Sequence, residues 1–424
     1  MSDPAIGRSA FRTALHWLPL AVLFAVFFWL AYPPPEAAGF PIKLFPDSAS
    51  YTTWGYGRPP VPFLFYSLVG SSAATPIAQT VLSLVCWLAL GWVALGAPGA
   101  AVAGVIAGAL PVVLWNKTVL SESLALSFGA AFMAATLALG RRWSLPRFLA
   151  WVACLLLYTG VRVENFFLVP PMLAVLLVWH HRHWLAIGAA GAATVAMFVA
   201  FSIVIDKQNH NWQIRMTNLV LTRILPDETL RTEFLARGLP AEPALLAAKG
   251  RMLAAYDPAF VEATPQFQQW LDEQSRPAYV AWLRTLAPHR MLVNDIDRAM
   301  KHWPYAFNYY FAGVGLPGSA WDFYPWSQEM RIPFAQWRWL ALIPIACALL
   351  TLDLAFVDLF ALAYFAAVYS MAFAVYHGDS GELDRHMVLT AALYRFAPIV
   401  ALAPVWERLR PLWRRRDDGL PTAS

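Results

Sequence analysis

Apolar residues gather in ten long stretches separated by short polar connections, near 14–32, 75–97, 99–115, 119–140, 148–163, 166–179, 184–205, 337–352, 354–375 and 387–405. A helix needs about 20 mostly apolar residues to cross a bilayer, so the pattern predicts an all-α polytopic membrane protein with about ten transmembrane helices. The stretches at 99–115 and 337–352 are short for a crossing. Residues 61–70 are apolar over too few positions to span and read as an interfacial helix. The polar interruption at 206–336 is long for a loop and carries helix punctuation of its own. Asp227 stands where an N-cap belongs, Leu230, Phe234 and Leu235 share a helical face behind it, and Gly238 ends the run. A second helical pattern covers 266–286 and a third runs from Asp295 towards Tyr310. Three regions result: an N-terminal transmembrane region at 1–205, a helical cap at 206–336, and a C-terminal transmembrane region with a basic tail at 337–424.

Sidedness follows from the short loops, because Lys and Arg concentrate on the cytoplasmic face. Arg8 and Arg12 precede the first stretch, Arg141, Arg142 and Arg147 follow the fourth, Arg182 follows the sixth, and Arg408, Arg410 and Arg414 to Arg416 follow the tenth. With ten spans these all fall on one side. Both termini are then cytoplasmic, and 33–74, 116–118, 164–165, 206–336 and 376–386 face outward. The first stretch lacks a small-residue cleavage site and reads as a retained span.

Composition reinforces the pattern. Hydrophobic residues make up 59% of the chain and charged residues 13%, which excludes a water-facing surface over most of it. The 20 Trp suit helix ends in the headgroup zone. The formal charge of +5 comes mainly from Arg at helix ends, so it reads as topology and gives no nucleic-acid signal. Cys86, Cys154 and Cys347 all lie in apolar runs and read as small buried hydrophobes.

Chemistry-bearing residues collect at the outward ends. They are Asp47 and Arg58 in the first loop, Lys117 and Glu122 at the next outward turn, Arg162 and Glu164 at the one after, and His377, Asp379, Glu382, Asp384, Arg385 and His386 in the last. Carboxylates, guanidiniums and imidazoles sharing one membrane face mark a candidate reaction centre. Asp47 can serve as a general base, or simply cap the turn beside Pro46. Glu122 can orient a substrate, or only complement a helix N-terminus. Arg58 and Arg385 suit phosphate, and equally suit snorkelling to headgroups. Arg162 and Glu164 can pair with each other, and a lone outward His is often merely solvated. No Gly-rich nucleotide loop, Gly-x-Ser-x-Gly elbow or zinc-binding His-Glu-x-x-His helix occurs, and no His or Asp cluster has clear metal spacing.

These segments resemble the GT-C fold of polyprenyl-phosphate-sugar-dependent glycosyltransferases, which include protein mannosyltransferases and lipid A aminoarabinose transferases. The resemblance rests on Phe45-Pro46-Asp47 soon after the first span, on Gly57-Arg58-Pro59-Pro60, on Leu120-Ser121-Glu122-Ser123-Leu124, and on Glu382-Leu383-Asp384-Arg385-His386 before the last apolar run. It departs from the pattern where Ser48 replaces a second acid and where His386 stands in place of the more usual Tyr. The resemblance implies an inverting transferase of the inner membrane that moves a sugar from a polyprenyl phosphate to an extracytoplasmic acceptor. Asp47 would be its base, and Arg58, Glu122, Arg162, His377, Asp379, Glu382, Arg385 and His386 would bind substrate. No cofactor is implied, and a divalent cation has no support. A lipid-linked glycan ligase or polymerase is the nearest alternative. A transporter or flippase is the other, though it normally carries ionisable groups deep in its spans, where this chain has few.

Overall fold

A computed structural model describes residues 48–53, 58–70, 74–108, 112, 115, 116, 118–209, 211–251, 254–286, 338–378 and 383–418. The first predicted span, Asp47, Asp379 and Glu382, and the helical pattern from Asp295 all lie outside the described residues. Among the described residues the protein is helical throughout, with no strand.

Short helices α1 (Ser48–Thr52) and α2 (Pro60–Val69) come first. They are followed by α3 (Ala74–Leu95), α4 (Ala97–Gly108), α5 (Ser121–Arg141) and α6 (Leu145–Thr159). A 3-10 turn at Val163–Leu168 leads into α7 (Val169–Trp179) and α8 (Trp184–Asn209). Near the end of the chain stand α15 (Leu342–Thr351), α16 (Phe356–Gly378) and α17 (Leu383–Asp418). Four helical segments, Ala74–Leu95, Ser121–Arg141, His181–Ile203 and Phe356–His377, are long and apolar enough to cross a membrane. The apolar run at 166–179 is divided, its first part being the 3-10 turn, and the run at 337–352 gives a ten-residue α15.

The bundle is organised about α5, which packs on α3, α6, α7, α16 and α17. Its apolar window is 78% buried, whereas that of α8 is 17% buried, so α5 is the axis and α8 the rim. Apolar Val195, Val199 and Ile203 on α8 remain exposed, as expected of a face turned to lipid. Helices α3 and α4 touch backbone to backbone. A Cβ on Gly91 would sit 2.2 Å from the Gly99 carbonyl oxygen, so only glycine fits this crossing.

Residues 211–286 form a second hydrophobic cluster. Helix α9 (Asn211–Leu219) continues as a π-helical turn at Val220–Ile224. Then come α10 (Glu228–Leu235), α11 (Pro243–Ala247), α12 (Pro258–Ala263), α13 (Pro265–Glu273) and α14 (Ser275–Thr285). Asp227 accepts the Leu230 N–H at 3.1 Å and caps α10, with Leu230 and Phe234 buried. Leu235 is 38% exposed, so it does not share that buried face. The pattern at 266–286 forms two helices, because α13 ends at Glu273 and Pro277 sits in the first turn of α14, where its missing N–H costs nothing. Phe234, Phe267, Trp270, Tyr279 and Trp282 fill the centre.

Candidate functional site

The start of α5 holds Glu122 with only 2% of its surface exposed. A carboxylate is favoured beside the partial positive charge of a helix N-terminus, but its burial requires a closer partner. Arg162 supplies it from the start of the α6–α7 connection, donating from Nη1 to Glu122 Oε1 at 2.8 Å. The same guanidinium lies 3.5 Å from Glu164, which in turn accepts from Arg215 of α9 at 3.0 Å. Two acids and two bases therefore alternate across three elements, and their charges cancel. The pairing between Arg162 and Glu164 read from their spacing exists, but Glu122, forty positions away, is the closer partner.

A small recess opens among Glu122, Ala125, Arg162, Glu164, Asn165, Met371 and Leu389, with a volume of about 10 Å³. That is room for roughly one water molecule. Met371 belongs to α16 and Leu389 to α17. Arg385 lies one helical turn before Leu389, and His386 follows it.

The first loop is seated on this same corner. Ser48 is buried and donates to the Val119 carbonyl at 2.8 Å, while the Tyr51 hydroxyl lies 3.2 Å from the Ser121 hydroxyl. Tyr66 of α2 donates to the Leu120 carbonyl at 2.5 Å and accepts from Gln79 of α3 at 2.7 Å. Three consecutive residues before Glu122 are thus each held by a side chain from 48–66. Arg58 donates through Nε to Ser50 at 3.2 Å and stands over the Tyr51 ring at 5.0 Å, which fixes it to α1. Asp47 lies outside the described residues; its chain neighbour is the anchored Ser48.

His377 has a different setting. It is buried at the end of α16, its ring 4.4 Å from Phe373, 5.1 Å from Tyr376 and 5.6 Å from Trp282, and its backbone carbonyl accepts the Tyr279 hydroxyl. Beside it, Arg223 donates to the Tyr376 carbonyl and stacks on the Tyr376 ring at 3.8 Å. These contacts make His377 part of the joint between α16 and the second cluster.

The structure thus brings Glu122 and Arg162 together and places Arg58 in the segment docked beside them. Glu164, read among the outward charges as a pairing partner of Arg162, joins the corner, and Arg215 and Asn165 complete it without having been expected as site residues. The signal for Asn165 was weak: a polar residue following Arg-Val-Glu at a helix junction. No signal marked Arg215. Among the described residues no group of three or more His, Cys, Asp or Glu is placed to hold a metal ion. No protein family, curated protein or solved structure matches the chain.

Proposed function

We propose that the protein is an inverting membrane glycosyltransferase that moves a sugar from a polyprenyl phosphate to an acceptor outside the cytoplasm. In this reading about ten spans place both termini in the cytoplasm, the membrane is the inner membrane, and 206–336 caps an outward site. Asp47 takes the acceptor proton as the lipid phosphate leaves. Arg58 and Arg385, with His386, stabilise the charge that grows on that phosphate. Glu122, positioned by Arg162, orients hydroxyl groups. Asp379 and Glu382 lie in the outward connection that precedes α17 and contribute polar contacts, and His377 sets the seat of the cap.

One observation carries this reading. Ser48, Tyr51 and Tyr66 pin their segment to the turn that starts α5, where the buried Glu122–Arg162 pair borders a recess. A base directly preceding Ser48 is tethered to that corner by a single peptide bond. Positioning of this kind removes the entropy of bringing catalytic groups together.

The test is transfer of labelled sugar from a panel of polyprenyl-phosphate donors to a membrane extract, comparing the wild type with Asp47→Asn. Transfer by the wild type, lost in a folded Asp47→Asn variant, is the expected outcome. Transfer that survives the substitution assigns the base elsewhere, and a folded wild type inactive with every donor ends the glycosyltransferase reading.

A further inference from the structure

Asn165 is fully buried and lines the recess. Its side-chain nitrogen donates to the Tyr158 carbonyl at 2.7 Å. A carbonyl can only accept, so this contact settles which end of the carboxamide is nitrogen and leaves Oδ1 as a free-standing acceptor. Among the described residues Oδ1 has no hydrogen-bond partner. Buried acceptors are nearly always satisfied, so the atom calls for a donor from beyond the described residues, and the recess it lines is open to a ligand.

The lining says which donor. Among the described residues Arg162 is the cation that lines the recess, and both carboxylates there, Glu122 and Glu164, already contact it at 2.8 and 3.5 Å. A phosphate brought here meets two negative charges and a cation that is already neutralised. A neutral hydroxyl meets oxygens that accept from it, against apolar Ala125, Met371 and Leu389. A carboxamide oxygen is no base near neutral pH, so the hydroxyl it takes is one that keeps its proton. A sugar carries several such groups.

We propose that Asn165 Oδ1 accepts a hydrogen bond from one non-reacting hydroxyl of the transferred sugar, making Asn165 a specificity-determining residue and the recess the sugar side of the site. The inference rests on the glycosyltransferase reading. It separates two jobs within that reading: the leaving phosphate belongs to Arg58 and Arg385, and Arg162 holds carboxylates in place.

The experiment gives wild type and Asn165→Leu the polyprenyl-phosphate sugar that supports transfer, together with its analogues lacking one hydroxyl each. The ratio of kcat/KM for parent and analogue is taken within one preparation, so the amount of folded protein cancels. Wild type should handle one analogue about tenfold worse than the parent, the effect of leaving a buried acceptor unpaired. Asn165→Leu should handle the two alike. Asn165→Ala, the variant to use if Leu prevents folding, should show the same levelling. Ratios that stay the same in wild type and variants for every analogue overturn the assignment and identify a recess that holds only water. Absence of transfer by wild type from every donor overturns the glycosyltransferase reading and this inference with it.

Discussion

Among the described residues each end of the bundle has a set of ion-paired side chains made of two carboxylates and two guanidiniums, in different arrangements. At one end Glu122, Arg162, Glu164 and Arg215 bond side chain to side chain and border a recess. At the other, about 28 Å along α5, Arg141 pairs with Glu407 at 2.9 Å and Arg408 grips Asp358 with two bonds at 3.0 and 2.8 Å. There most of the spare donors go to the main chain, although Arg408 Nε donates to the Thr351 hydroxyl at 3.2 Å. Arg141 also donates to the Val93 and Ala94 carbonyls, Arg408 to those of Asp353 and Pro404, and Asp358 accepts the Ala355 N–H at 2.8 Å. Arginines bound to backbone are committed to holding helix ends. The described bonds of the carboxylates and guanidiniums at the Glu122 end run from side chain to side chain, and in the proposed function a substrate joins that exchange. Ion-paired sets of equal make-up therefore need not serve equal purposes; the destination of each donor distinguishes a clasp from the candidate site.

The contrast breaks most visibly at Arg408. Removing it by Arg408→Ala strands Asp358, which is fully buried, and should cost about 3–5 kcal/mol. Thermal unfolding in detergent measures this, and a loss under 1 kcal/mol would show that the clasp is not structural. Next comes Glu122→Gln, which keeps the shape and leaves Arg162 its contact with Glu164. The sugar transfer proposed above should fall about a hundredfold while unfolding moves by no more than about 2 kcal/mol; a stability loss as large as that of Arg408→Ala, with transfer intact, would make this end a second clasp. A smaller effect is expected between Glu164 and Arg215, whose side chain is 41% exposed. A double-mutant cycle with alanine at each should give a coupling near 0.5 kcal/mol, and a value above 2 would show the second cluster to be bolted on. Smallest is an acid effect outside both ends. The Arg251 hydrogen bond, then the Ala259 N–H, hold the Asp257 carboxyl below its ordinary range. A lowered folded value contributes stability above the unfolded pKa, and that contribution is lost as pH falls through the folded one. Unfolding followed below about pH 4 should show Asp257→Asn slightly less acid-sensitive than wild type; identical slopes would remove the effect.

The long helices were legible because each needs only local information. The run at 119–140 became Ser121–Arg141, and that at 354–375 became Phe356–Gly378. Asp227 and Gly238 announced their helix in the same way, the glycine taking φ +86° where it ends. The break at Gln274 was also present in the text, as Pro277, but the apolar period ran across it. The site was legible only as a list of candidates on one face. Which acid meets which base depends on distances between residues 40 or 51 positions apart, Glu122 to Arg162 and Glu164 to Arg215, and no periodicity encodes that. Burial was hidden for the same reason: His377 at a helix end looks solvated until aromatic residues from another region are packed around it.

The Tyr66 hydroxyl sits between three segments, giving its proton to the Leu120 carbonyl and taking one from Gln79. Because it does both, the chain of bonds has a single sense: the Gln79 amide cannot turn over without breaking it. One oxygen atom thereby removes rotational freedom from α2, α3 and the residues leading into α5 together. Rigidity at Glu122 then comes from the number of constraints meeting near it, and trimming that lone atom, as in Tyr66→Phe, loosens a corner whose every other contact is left in place.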